Sequence, residues 1–154
     1  MTAAEFKVYF NRLRFLHTAL FAGALTFGAV VYYASGPREI NDELGQLFQY
    51  IVPGLFIAVI LISLSILNIK LKEIRAMDNV PYQLAAYQGI NIIRWGLAEG
   101  TTLFAVVAYL VSGYDSLMLL ALLGMAYLFF QRPNLDRLVD ELGLNETEQR
   151  ELGI

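Results

Sequence analysis

The chain has 154 residues, 57% of them hydrophobic and only 16% charged, and its mean hydropathy of +0.53 is too apolar for an ordinary soluble domain of this length. The net charge of −3 says little about partners, because the charged residues fall in clusters of mixed sign at 5–14, 38–43, 70–78 and 136–151. With no cysteine and a single histidine, disulfides and thiol catalysis are excluded, and little material remains for a transition-metal site.

Between the charge clusters lie apolar runs long enough to cross a hydrocarbon core about 30 Å thick. Four spans are expected, making an all-α polytopic membrane protein. The first covers residues 15–34, after a basic flank (Lys7, Arg12, Arg14) and before Tyr32, Tyr33 and Ser35-Gly36-Pro37. Its apolar run exceeds a signal-peptide core of roughly 7–15 residues, so it reads as an anchor rather than a cleaved leader. The second covers 47–69, with Pro53 in its first turns, where a missing N–H does least harm. The third runs from Tyr82, just after Pro81, to Ser112, just before Gly113; the fourth, 116–131, is short and ends at Arg132-Pro133.

Beyond Pro133 the apolar spacing of Leu135, Leu138, Val139 and Leu142 predicts a short helix stopped by Gly143. Asn145 and Glu148 then have the spacing of a capping box. The chain thus divides into a four-helix membrane domain, 1–132, and an acidic helical tail, 133–154, lying as a cap on the inner face. Lys7, Arg12 and Arg14, then Lys70, Lys72 and Arg75, then Arg132, Arg137 and Arg150 fall on one side of the spans, with Arg38 alone opposite them. The positive-inside rule puts both termini, and the tail, in the cytoplasm. Tyr32, Tyr33, Tyr50, Tyr109 and Tyr114 are expected at the outer boundary and Tyr82, Tyr87 and Tyr127 at the inner one.

The third span carries the residues that point to a mechanism. Gln88, Asn91, Trp95, Glu99, Thr102 and Tyr109 share one helical stripe, whereas Ile92, Ile93, Leu97, Leu103 and Leu110 lie largely elsewhere. A polar stripe inside a membrane turns toward other helices or water. Arg94 and Glu99 are ionisable groups within the span, and such groups are costly there unless partnered. Two states of Glu99 are open: a carboxylate held by a cation, either Arg94 or a residue of another span, or a neutral acid able to accept and release a proton. Ser63, Ser65 and Asn68 of span two are candidate partners for Arg94, and His17, near the cytoplasmic end of span one, is a candidate proton relay. Gly96 and Gly100, with Gly23 and Gly28 of span one, give small-xxx-small textures that suit close packing of the two spans.

The string Tyr87-Gln88, Ile92-Ile93-Arg94, Glu99-Gly100, Leu103-Phe104, Ala108-Tyr109-Leu110 and Ser112-Gly113 resembles an uncharacterised family of small four-span bacterial inner-membrane proteins. The resemblance extends to Ile51-Val52-Pro53, the spacing of Gly23 and Phe27, and Arg132-Pro133 before an acidic helix, and it implies topology and location rather than an activity. One helix, with Glu99 before the apolar run 103–110, is similar to the carboxylate helix of rotary-ATPase proteolipid subunits. Arg94 and the charged loop 71–81 depart from that pattern, and the similarity is confined to that helix.

The residues therefore suggest a non-enzymatic membrane protein, a structural or accessory subunit of a homo-oligomer or larger membrane complex. A proton- or ion-conducting component using Glu99 is the alternative. There is no Ser/His/Asp set, metal cluster, phosphate loop or basic nucleic-acid face, so no cofactor, metal or nucleic acid is expected; the bilayer and other membrane subunits are the expected partners.

Overall fold

The computed structural model describes residues 1–34 and 40–154. Arg38 and the Ser35-Gly36-Pro37 close of the first span lie outside the described residues. The described residues form helices and no strand: α1 (Ala3–Ala34), α2 (Asp42–Arg75), α3 (Val80–Ser112), α4 (Asp115–Phe130), α5 (Leu135–Leu142) and α6 (Glu146–Leu152). α1, α2 and α3 are each long and apolar enough to cross a membrane. α4 has 16 residues and passes the same test only together with α5, across a bend of 74°.

Side-chain caps set the helix ends. The Asn41 carboxamide accepts from Leu44 N–H, and Asn79 accepts from Tyr82 N–H. Such caps contribute roughly 1 kcal/mol each. Gly113 closes α3 in the left-handed region at φ 72°, where a side chain would be strained. Asn145 and Glu148 form a reciprocal capping box at the start of α6.

Three helices run beyond the spans read from hydropathy. α1 begins at Ala3 because Phe6, Phe10 and Leu13, at helical spacing, bury against the chain's C-terminal part. α2 begins at Asp42 on its Asn41 cap, which places Pro53 in the helix interior rather than its first turns. Val80 and Pro81 belong to the first turn of α3, where proline loses no intrahelical bond.

α3 is the axis of the bundle. It packs against α1, α2 and α4, and α4 also touches α1 and α2, whereas α1 and α2 are not in substantial contact. Close approach between the long helices and α4 is required at Gly124 and Gly28. A Cβ on Gly124 of α4 would run into Thr102 of α3 and the ring of Phe56 of α2, and one on Gly28 of α1 would meet Met125 of α4.

Two apolar cores result. One gathers Phe6, Leu13, Ile74, Leu84 and Trp95 with Leu138, Leu142, Leu144 and Leu152, so α5 and α6 are seated on one end of the bundle and share its core. The other gathers Val31, Val52, Val106, Tyr109, Leu117 and Met125 at the opposite end. Tyr109 and Tyr87 are buried in these cores, while Tyr32, Tyr33, Tyr50 and Tyr82 are exposed.

Candidate functional site

The polar stripe of α3 divides by burial. Asn91, Trp95, Thr102 and Tyr109 are buried inside the bundle, while Gln88 and Glu99 are half-buried at the edge shared with α1. Thr102 satisfies its hydroxyl on the Ala98 carbonyl one turn back (2.8 Å), as Thr101 does on Leu97 and Ser112 on Ala108. Gln88 opens onto a surface groove with Val8 and Arg12 of α1. Ile92, Ile93 and Leu110 face outward.

Glu99 lies against Gly23 of α1, where a Cβ would stand 3.5 Å from its Oε1. Both residues fall near the middle of their helices. Glu99 makes no hydrogen bond and no ion pair among the described residues, and Gly23 itself is exposed, so the carboxyl group sits in an open seam between α1 and α3.

Arg94 takes another direction. It is 4% exposed, and its Nη1 donates to Asn91 Oδ1 at 3.3 Å while its Nε has no partner. Asn91 donates in turn to the Tyr87 carbonyl (3.0 Å), and the Tyr87 hydroxyl donates to Glu141 of α5 at 2.7 Å. Glu141 also accepts from Arg137 Nε at 2.7 Å, and its backbone carbonyl accepts from Arg75 Nε at 2.9 Å. Arg75 reaches the Asp140 carbonyl as well, so the last turn of α2 caps the C-terminus of α5. The charged side chains that act on Arg94 are therefore Arg137 and Glu141, not Glu99.

Of the states left open for Glu99, a carboxylate held by Arg94 is not found among the described residues. Five residues along a helix turn a side chain by about 140°, so the two groups leave α3 toward different neighbours. Ser63, Ser65 and Asn68 do not serve Arg94 either: Ser63 is fully buried with an unpartnered hydroxyl, and Ser65 and Asn68 face outward on α2. His17 is buried, with Nε2–H donating to the Leu128 carbonyl at 2.8 Å and its ring edge-on to Trp95 at 5.0 Å.

The glycines also sort differently from the expectation. Gly23 and Gly28 of α1 do face neighbours, but a Cβ on Gly96 or Gly100 would meet nothing within 4 Å. Each lies on the outer side of α3, beside Ile92 and Ile93, because Gly100 is turned about 100° from Glu99. Span one packs on the Glu99 side of the helix, leaving the Gly-xxx-Gly face open.

Glu141 and Arg75 do not stand out in the sequence as site residues. The four-residue spacing of Arg137 and Glu141 was the one visible signal for the first. Arg75 gave none, since its partners are backbone carbonyls sixty-odd positions away. Among the described residues no cluster of His, Asp and Glu side chains is arranged to hold a metal ion. No protein-family model, no curated protein and no solved structure matches the chain.

Proposed function

We propose that the protein is a non-enzymatic integral membrane subunit of a bacterial inner membrane, completed along the outer face of α3 by a neighbouring chain of the same or another kind. One observation carries this reading: Glu99 has no partner among the described residues, and no described residue covers the glycine face beside it. A carboxyl group near the middle of a spanning helix is costly against acyl chains. Small residues let a second backbone come close enough to offer it a donor.

The orientation with both termini in the cytoplasm is supported by how the fold gathers its basic residues. Arg14, Arg75, Arg132 and Arg137 lie at the end of the bundle that carries α5 and α6. That is the asymmetry the positive-inside rule reads. The similarity of the string 87–113 to small four-span bacterial membrane proteins fits the same location.

The test uses the absence of native cysteine. Gly96→Cys and Gly100→Cys, oxidised in native membranes, are expected to give cross-linked species with a second copy or another subunit. Leu61→Cys and Leu119→Cys, on exposed faces of α2 and α4, serve as background. Cross-linking at 96 and 100 no higher than at 61 and 119 removes the reading.

Glu99 as a proton-handling group is the second reading, favoured by the lack of any cation beside it among the described residues. Proteoliposomes of the wild type would then dissipate an imposed pH gradient, and Glu99→Gln would stop the leak. A wild-type leak equal to that of empty liposomes rejects conduction.

A further inference from the structure

We infer that the groove between α1 and the α4–α5 bend is a binding site for the phosphate group of an anionic phospholipid. The groove encloses about 730 Å³ and is lined on one side by Arg14, Thr18 and Phe21 of α1 and on the other by Phe129, Arg132 and Asp136. Of the other cations at this end of the bundle, Arg75 is engaged on the α5 carbonyls, Arg137 on Glu141, Lys70 on Glu73 and Arg150 on Glu146, while Lys7, Arg12 and Lys72 do not line this groove. Arg14 and Arg132 are exposed and form no ion pair among the described residues. Arg132 is held in place by stacking over the Phe129 ring, with its guanidinium carbon 5.7 Å from the centroid.

Two guanidinium groups and a hydroxyl flanking one opening suit a phosphate, which accepts several charge-assisted hydrogen bonds. Asp136, in the first turn of α5, is the carboxylate on the lining and reduces the excess to one positive charge. The rest of the lining argues for a lipid as the source of the phosphate. Phe21 packs against Phe129 with centroids 5.6 Å apart, and Phe21 stands two turns, about 10 Å, along α1 from Arg14. A headgroup at the arginines would thus lead an acyl chain along an aromatic wall. Basic pockets between spanning helices near the membrane surface are where anionic lipids are held.

The experiment is native mass spectrometry of the protein released from nanodiscs of equal phosphatidylglycerol and phosphatidylcholine. With Asp136 offsetting one of the two arginines, the excess of one positive charge supports roughly a fivefold preference for phosphatidylglycerol. R14Q/R132Q is expected to abolish that preference, Asp136→Asn to raise it, and Lys72→Gln, on the same flank but outside the groove, to leave it intact. Both arginines are exposed, and the double variant is checked for an unchanged melting temperature. The assignment is overturned if the double variant retains the preference, or if Lys72→Gln lowers it equally. It is likewise overturned if inorganic phosphate or glycerol 3-phosphate displaces the lipid, which makes this a site for a free phosphate.

Discussion

Replacing Gly124 by alanine tests the packing on which this fold depends. Alanine is the better helix former by roughly 0.5–1 kcal/mol, so at an open position the change is stabilising. At Gly124 the added methyl meets the Thr102 hydroxyl and the Phe56 ring. Thr102 cannot turn away freely, because its hydroxyl donates to the Ala98 carbonyl at 2.8 Å, a bond worth about 1 kcal/mol. Moving the half-buried Phe56 adds to this, and overpacking of a well-filled site typically costs about 1–3 kcal/mol. Subtracting the propensity gain leaves a net loss of about 1–2 kcal/mol. Unfolding in mild detergent, followed by the fluorescence of the single buried Trp95, measures it. Gly96→Ala, with nothing near its Cβ, is the control and is expected to stabilise the isolated chain by about 0.5 kcal/mol or more. The double variant Thr102→Ala/Gly124→Ala should recover part of the loss, with a coupling of roughly 0.5–1 kcal/mol. If Gly124→Ala is as stable as the wild type, α4 does not press on α3 and α2 at this point.

Arg94→Met and Glu99→Gln, measured singly and together, should be additive within about 0.5 kcal/mol, because the two side chains share no partner; a larger coupling in the same unfolding assay restores the ion pair. Glu141→Gln leaves the shape of α5 intact but weakens its ties to Tyr87 and Arg137 by about 1–2 kcal/mol in total. Hydrogen exchange over 135–142 should rise accordingly while that of α3 beyond residue 98 does not; protection unchanged in α5 contradicts the latch. The Tyr114 hydroxyl donates to Asp42 at 2.8 Å, and this bond holds the phenol above its usual titration range. Its contribution is complete below the ordinary tyrosine value near pH 10 and is lost as pH rises through the raised value. Tyr114→Phe should therefore remove an alkaline component of the stability profile, and an unaltered profile refutes it.

Helix number, the breaks at Gly113 and Pro133, and the capping box at Asn145 were legible in the sequence because each rests on neighbours a few positions apart. The direction of the α3 stripe was legible for the same reason, since Asn91, Trp95, Thr102 and Tyr109 follow from a 100° step. What each stripe residue touches was not legible, because that depends on which neighbouring helix covers which flank. Periodicity put Glu99 in the polar stripe, but only the seating of α1 left it at an edge facing Gly23 and left Gly96 and Gly100 open. The N-terminal extension of α1 to Ala3 was hidden by its charges. Glu5, Lys7, Arg12 and Arg14 interrupt the hydropathy, while Phe6, Phe10 and Leu13 between them make the buried face. Gly124 gave no signal at all, as its importance comes from two side chains on different helices.

The depth of Arg94 changes what its burial means. His17 of α1 bonds to the carbonyl of Leu128, in the last turns of α4, and its ring meets Trp95, the residue after Arg94. Arg94 is therefore level with the last turns of α4, and the neighbouring His17 lines the same groove as Arg14 and Arg132. Beyond that level α1, α2 and α3 continue for several turns inside a core shared with α5 and α6, whose outer residues are charged. A guanidinium there is desolvated by protein rather than by acyl chains, and its neighbours Asn91, Tyr87, Glu141 and Arg137 form a polar seam that fastens the C-terminal helices. Buried charges of this kind commonly fix one arrangement among several apolar alternatives. Glu99, about 7 Å further along the axis, has no such partner among the described residues. The proposed neighbouring helix and the proton-handling reading both rest on that unpartnered carboxyl group.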